Sequence, residues 1–311
     1  MSLNVATAFA PASVGNVGVG FDILGHSIEG AGDTVTVRRT NTNDIRVIAI
    51  RGTLTELPLE TENNTAARAL RAMREDLNLD YGYDIEIEKG IALGSGMGGS
   101  AASATAAVVA ANALLETPLP REALYRYALE GEAAASGSYH GDNVGPQLLG
   151  GLVLATQDSI IAIPTPDNLY CALVHPHFVL ETRKAREALA GHYALKEFVG
   201  QSESLALLLT GCFKSDFSLI GRGLNDVLIE PRRSPLIPGF AKVKQAALGH
   251  GALGASISGA GPSIFAWCVS QEIAATTAKH MQHAFLEVGL QSDIFISKVT
   301  GPRAEVLSCS A

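Results

Sequence analysis

The chain has 311 residues, enough for one large domain or, at about 150 residues each, two. Lys and Arg total 23 against 31 Asp and Glu, a net charge of −8 with no basic stripe, which argues against a nucleic-acid partner. Apolar residues make up 47%, ample for a packed core, while 32 glycines exceed the usual share of about 7%.

Strand-like alternation comes first, at Thr34–Arg38, Ile45–Ile50 and Tyr83–Glu88, the last with Ile85 and Ile87 on one face. Helical spacing predicts a helix over Thr65–Leu77, with Ala66, Ala69, Leu70, Met73 and Leu77 on one side. A second helix is predicted from Gly99 to Leu115 and a third over Arg121–Ala135. Gly150-Gly151 opens a strand pair, Leu152–Thr156 and Ile160–Ile163, closed by Pro164 and Pro166. That closure is the expected boundary, giving domains over residues 1–166 and 167–311. The second half starts with a strand at Tyr170–Val174 and a helix near Glu181, with more helices through Leu248. Then come Leu253–Ile257, a Ser-Gly-Ala-Gly-Pro turn, Ser263–Cys268, a helix at Glu272–Leu286 and Ile294–Val299. Without its helical insert this is β-α-β-β-α-β, a ferredoxin-like layer. The predicted class is α+β: an N-terminal α/β domain on a mixed sheet, and a C-terminal ferredoxin-like sandwich.

The cysteines, Cys171, Cys212, Cys268 and Cys309, form no C-x-x-C pair, so neither a disulfide framework nor a zinc site is expected, and a reducing cytoplasm is. Met1–Ala10 has no basic n-region, so no secretory leader is expected. The longest apolar stretch, Ser100–Leu115, is Ala-rich, carries polar residues and is too short for a bilayer, so no membrane association is expected.

The most informative glycine cluster is Gly94-Ser95-Gly96-Met97-Gly98-Gly99-Ser100, set between a strand and the Ala-rich helix. Glycines let consecutive N–H groups curl around an anion, and a helix N-terminus adds unpaired donors and its dipole. A plain strand-to-helix turn is the alternative. Gly94, Gly96 and Gly99 satisfy G-x-G-x-x-G, but the loop does not follow the first strand and no acidic residue closes a second strand ~20 positions on, which disfavours a dinucleotide-dependent oxidoreductase. A Walker loop would end in G-K-[ST], and there is no Lys.

The loop resembles the nucleotide-binding motif of the GHMP kinases, P-x-G-x-G-L-G-S-S-A. The segment from Pro11 to Asp22 is similar to that superfamily's first motif, and Ser258-Gly259-Ala260-Gly261-Pro262-Ser263 to its third. Within the superfamily the match is closest to the homoserine kinase family, through His140-Gly141-Asp142-Asn143-Val144-Gly145-Pro146 and the segment Glu230–Gly239. The resemblance covers essentially the whole chain. It departs at Ala92, where Pro is common, and at Gly99, which replaces the first Ser of G-S-S.

The resemblance implies ATP and Mg²⁺ as cofactors, L-homoserine as substrate on the route to threonine, and a homodimer. It implies ATP contacts at Gly94, Ser95, Gly96, Met97, Gly98, Gly99, Ser100 and Ala101, and metal ligands at Ser100 and Glu132. Asn64 matches an adenine-side position, and it equally suits an N-cap of the helix it opens. A zwitterionic amino acid needs a carboxylate for its ammonium and a guanidinium fork for its carboxylate. By resemblance Asp22 takes the first role and Arg186 and Arg233 the second, with Asn16, His140, Asn143, Thr182, Gly259 and Gly261 completing the pocket. Asn143, Asp142 and Arg186 are the catalytic candidates: Asn143 positions the hydroxyl, and Asp142 is an alternative proton acceptor. Rival readings are a GHMP kinase for another alcohol such as mevalonate, for which Asp22 has no use, and a non-catalytic ligand sensor. His280, His283 and Glu287 are read as an exposed helix flank, and His175-Pro176-His177 as no metal site.

Overall fold

The computed structural model describes residues 3–311 and, at Ser136, the backbone alone. In chain order the first half runs β1 (Val5–Gly15), β2 (Leu24–Thr40), β3 (Ile45–Gly52), α1 (Thr65–Asp76), β4 (Gly82–Lys89), α2 (Gly99–Ala113), α3 (Tyr125–Ser136), α4 (Val144–Leu149), β5 (Leu152–Ala155) and β6 (Ile160–Ile163). The second runs β7 (Tyr170–Pro176), α5 (Thr182–Glu187), α6 (Leu195–Lys214), α7 (Phe217–Gly223), α8 (Glu230–Arg233), α9 (Phe240–Gly249), β8 (Gly254–Ile257), β9 (Ile264–Cys268), α10 (Gln271–Leu286), β10 (Ser292–Lys298) and β11 (Glu305–Ser310).

Among the described residues the strands form two sheets. The first is mixed, in the order β11-β1-β2-β4-β3, with β5 on the far end of β2 and β6 beside it. β3 and β4 are parallel, with α1 between them in sequence, and the other pairs in this sheet are antiparallel. The second sheet is antiparallel in the order β10-β7-β9-β8, the predicted ferredoxin-like layer. The chain passes from one sheet to the other after β6, near the expected boundary. Its last strand passes back, because β11 pairs with β1.

β1 and β11 escape the periodicity reading. In β1 the inward positions are Ala6, Ala8, Ala10 and Ala12, all fully buried, and alanine gives little strand signal. They are small because α2 lies on them. That helix is apolar on every side, so it has no solvent face to offer and runs through the middle of the domain. Residues Ala101 to Ala111 are buried without exception. On its other flank α3 approaches closely at Gly131, where a methyl group would collide with the Thr65 carbonyl and the Ala104 side chain.

One buried ionic cluster fixes where α2 starts. Lys89, at the end of β4, is 5% exposed and is paired with Asp33 of β2, which is fully buried. The Lys89 ammonium also donates to the Gly99 carbonyl (2.8 Å) and to Ser103 Oγ (2.9 Å), and Ser103 donates to Asp33 (2.7 Å). Asp33 accepts in addition from the Gly90 and Ile91 amides. The strand end, the loop after it and the first turn of α2 are thereby locked together. Between the two sheets, Trp267 of β9 donates to Nε2 of the buried His26 on β2 (3.2 Å), whose Nδ1 bonds the Ser27 carbonyl. Burial pushes the His26 pKa down to about 4, consistent with a neutral ring in both bonds. No described helix is long and apolar enough to cross a membrane.

Asp33→Ala should therefore destabilise the protein by about 3–5 kcal/mol, because it leaves a buried ammonium unpaired. The joint replacement Asp33→Leu with Lys89→Met should cost much less; urea denaturation of both variants checks this.

Candidate active site

Between the two sheets lies a cleft of about 690 Å³. Its floor is the loop from Gly94 to the N-terminus of α2. The loop's carbonyls are turned away from the cleft and bonded one by one. Ser263 Oγ donates to the Ser95 carbonyl (2.6 Å), Ser258 Oγ to Gly96 (2.7 Å), the Ser13 amide to Met97 (3.1 Å), and Gln147 Nε2 to Gly98 (3.0 Å). His175 Nδ1 in turn donates to Ser263 Oγ (3.1 Å). With the carbonyls held outward, the amides of the loop and the dipole of α2 are left for an anion. Gly96 and Gly98 sit at φ +76° and +70°. A side chain at Gly96 would strike the Ser258 and Gly261 carbonyls, and one at Gly98 would strike Ser13 and Asn143.

Two buried carboxylates face this floor. Glu132, on α3, accepts a hydrogen bond from Ser100. Burial pushes its pKa up to about 7; the Ser100 bond and the Lys89 charge pull downwards, and the Asp142 charge adds to the rise. Asp142 precedes α4 and is 3% exposed. Its Oδ2 accepts from the Asn16 amide (3.0 Å), and burial, helped by the Asp22 charge, pushes its pKa up to about 7 as well. Its neighbour Asn143 also lines the cleft and accepts from Ser13 Oγ (2.9 Å).

The far end of the cleft is polar and strained. Asn16 and Asp22 adopt φ +67° and +64°, rare for residues with a side chain. The turn is held from within, because the Asp22 amide donates to Asn16 Oδ1 (2.9 Å) and Asn16 Nδ2 donates to the Gly259 carbonyl (2.8 Å). Arg186 of α5 grips Asp22 with both nitrogens (2.9 and 3.3 Å) and donates to His140 Nε2 (2.9 Å). Arg233 is only 2% exposed and is held by the Ala185 and Gly259 carbonyls (both 3.1 Å). Among the described residues no carboxylate comes within 4 Å of it. Burial, with Arg186 nearby, lowers its pKa to about 10. Both guanidiniums lie over the ring of Phe21, at 5.2 and 5.0 Å.

The cleft is thus lined by Asn16, Asp22, Asn64, Gly94 to Ser100, Glu132, His140, Asp142, Asn143, Thr182, Arg186, Arg233 and Gly259, the residues expected from sequence. Ala101 and Gly261 are not among the lining residues: Ala101 is buried in α2, and Gly261 packs behind the loop against Ile237 and Ile257. Asn64 caps α1, its Oδ1 accepting from the Ala66 and Ala67 amides (3.1 and 3.2 Å), while still lining the cleft. Sequence reasoning missed Lys89, Phe21, Ser13 and Gln147. Lys89 had a signal, since the alternation of β4 puts it on the inward face. Gln147 had none.

The family described as GHMP kinases N terminal domain matches residues 64–151, and GHMP kinases C terminal matches residues 208–285. A homoserine kinase from Xanthomonas campestris is 58% identical over 306 residues, covering 98% of this chain and 95% of that protein. One from Chlorobium phaeobacteroides is 44% identical, covering 98% and 100%. The crystal structure of a homoserine kinase from Cytophaga hutchinsonii superposes with a TM-score of 0.94 at 41% identity, covering 98% of each chain. The crystal structure of an L. major mevalonate kinase shares the fold, with a TM-score of 0.72 at 17% identity.

The buried carboxylates make stability depend on pH. A carboxyl with its pKa raised in the folded state costs nothing below its unfolded value near 4, and its penalty is complete above about 7. Asp142→Asn should match the parent protein near pH 4.5 and exceed it by ~1–3 kcal/mol at pH 8. Melting curves at the two pH values test this; an equal difference at both would refute the raised pKa.

Proposed function

The chain belongs to the homoserine kinases of the GHMP superfamily, and on that premise we propose how its cleft moves the γ-phosphoryl group of ATP to the side-chain hydroxyl of L-homoserine. The products are O-phospho-L-homoserine and ADP, on the route to threonine. The observation that carries the site assignment is the pairing of one carboxylate and two guanidiniums beside an anion-binding loop.

Phosphoryl transfer asks mainly for positioning and charge neutralisation. The loop Gly94–Ser100 and the start of α2 cradle the phosphates of ATP. Asn64, at the entrance of α1, has one amide hydrogen left beyond its bond to the Pro58 carbonyl, and we assign it to the adenine side. Ser100 and Glu132 fit Mg²⁺: two hard oxygens, one on a carboxylate whose burial favours a cation next to it. Ser100 and Glu132 would hold the ion, which would supply neutralisation of the phosphate charge during transfer.

At the other end Asp22 takes the substrate ammonium, and Arg186 and Arg233 take its carboxylate. Thr182, His140, Asn16 and Gly259 complete the wall. Asn143 orients the hydroxyl. As its oxygen bonds to the γ-phosphorus, the bond to the ADP oxygen breaks, and a loose transition state lets the proton leave late, without a strong base. Asp142 anchors Asn16 and lines the same cleft, and we keep it as the alternative acceptor.

We also place the chain in a homodimer. The outward face of α6 carries Leu195, Phe198, Val199 and Phe213, all exposed. Leu195 and Phe213 lie five turns apart on one side, so the face suits a copy of itself about a two-fold axis.

The direct test is ADP release from MgATP with L-homoserine, D-homoserine, L-threonine and mevalonate in parallel. Turnover confined to L-homoserine is expected; turnover with mevalonate, a carboxylate without an ammonium, would overturn the role of Asp22. Glu132→Gln should lower kcat at least about tenfold and raise the Mg²⁺ concentration needed for half-activity. An unchanged metal titration would remove Glu132 from the metal site.

A further inference from the structure

The ammonium and carboxylate subsites are not independent in the ligand-free protein. The carboxylate reserved for the substrate ammonium, Asp22, is already occupied by Arg186, one of the guanidiniums reserved for the substrate carboxylate. The grip is two-pronged, at 2.9 and 3.3 Å, and His140 braces it. His140 Nε2 accepts from Arg186 (2.9 Å), while its Nδ1 lies 3.3 Å from Asp22 Oδ2. We propose that L-homoserine binds by exchanging into this Asp22–Arg186 ion pair, and that the exchange makes the protein demand both charges on one substrate. The proposal rests on the reading that L-homoserine is the substrate.

The parts differ in freedom, and that difference gives the exchange a direction. Asp22 is fixed: its backbone is in the left-handed region and its amide is tied to Asn16. Arg233 is also fixed, buried and held by two backbone carbonyls. Arg186 is the mobile member, 40% exposed on the six-residue helix α5. The Phe21 ring lies under both guanidiniums. Arg186 can therefore turn its nitrogens from Asp22 towards a carboxylate shared with Arg233 and keep its contact with the ring.

A zwitterion re-pairs every charge that it uncovers. Its carboxylate takes over Arg186 and adds a partner to Arg233, and its ammonium takes over Asp22. An analogue with one charge cannot do this. 4-Hydroxybutyrate, which lacks the ammonium, can engage Arg186 only by stripping Asp22 of its guanidinium. 3-Aminopropan-1-ol, which lacks the carboxylate, can reach Asp22 only by leaving Arg186 and Arg233 facing each other without an anion. Each half-substrate loses a contact and also breaks a pair, and an ion left unpaired in a partly buried site is costly.

This arrangement makes a prediction that additive contacts do not. Removing the charge of Asp22 frees Arg186, so Asp22→Asn should weaken L-homoserine by about 100-fold and tighten 4-hydroxybutyrate by about fivefold to tenfold. Arg186→Met should likewise weaken L-homoserine and tighten 3-aminopropan-1-ol. Dissociation constants from ligand-observed NMR, taken without nucleotide on the parent and both variants, measure this. Melting temperatures within a few degrees of the parent show that the variants are folded, and Arg186→Met, on a partly exposed helix, carries the test alone if Asp22→Asn does not fold. Opposite signs for the full and the half-substrate support the exchange. If each half-substrate is weakened or unchanged while the parent protein binds L-homoserine, the exchange is wrong and the substrate reading stands. If the parent neither binds nor phosphorylates L-homoserine, both fall.

Discussion

The constraint on which the site depends is the outward anchoring of the phosphate loop's carbonyls. A peptide chain that presents amides to one side presents carbonyls to the other, and those carbonyls need donors if they are not to sit unpaired in the interior. Here they are met by Ser13 and Gln147 from the first half of the chain and by Ser258 and Ser263 from the second. The glycine-rich segments far apart in sequence are therefore one structure. The Gly259 amide bonds the Gly15 carbonyl, and Asn16 bonds Gly259 in return. Separating the two sheets would undo the loop as surely as replacing its glycines.

The second organising feature is how charge is distributed along the cleft. The end beside α2 holds carboxylates kept partly protonated near neutrality by burial, waiting for cationic company. The other end holds more guanidinium than carboxylate, with both arginines lying over the Phe21 ring. Under the proposed function a nucleotide with its metal would occupy the first end and a zwitterion the second, with the hydroxyl between them beside Asn143. The strained turn from Asn16 to Asp22 persists because its side chains and amides are bonded on every side.

Much of the fold was legible because periodicity reports burial. The strands around Val35 and Ile85 and the helix from Thr65 bury one face each, and alternation or helical spacing reveals it. Strands β1 and β11 were not legible, for different reasons. The inward residues of β1 are alanines, small enough for α2 to lie against, and alanine favours no strand. β11 is an exposed edge strand with no buried face to betray it, and its return to the first sheet is a tertiary event.

The sequence by itself determined the chemistry. Glycine motifs can be recognised singly because backbone conformation is a local property, and so can residue types suited to phosphates, a metal and a zwitterion. It also determined which side chains would line the cleft, Ala101 and Gly261 excepted. What only the tertiary structure decided is who holds whom. Lys89 belongs to Asp33 and α2, and Arg186 belongs to Asp22. The pairs Lys89–Asp33 and Arg186–Asp22 span 56 and 164 residues, where no local pattern carries information. They are decided by distance and desolvation, which exist only once the chain has folded.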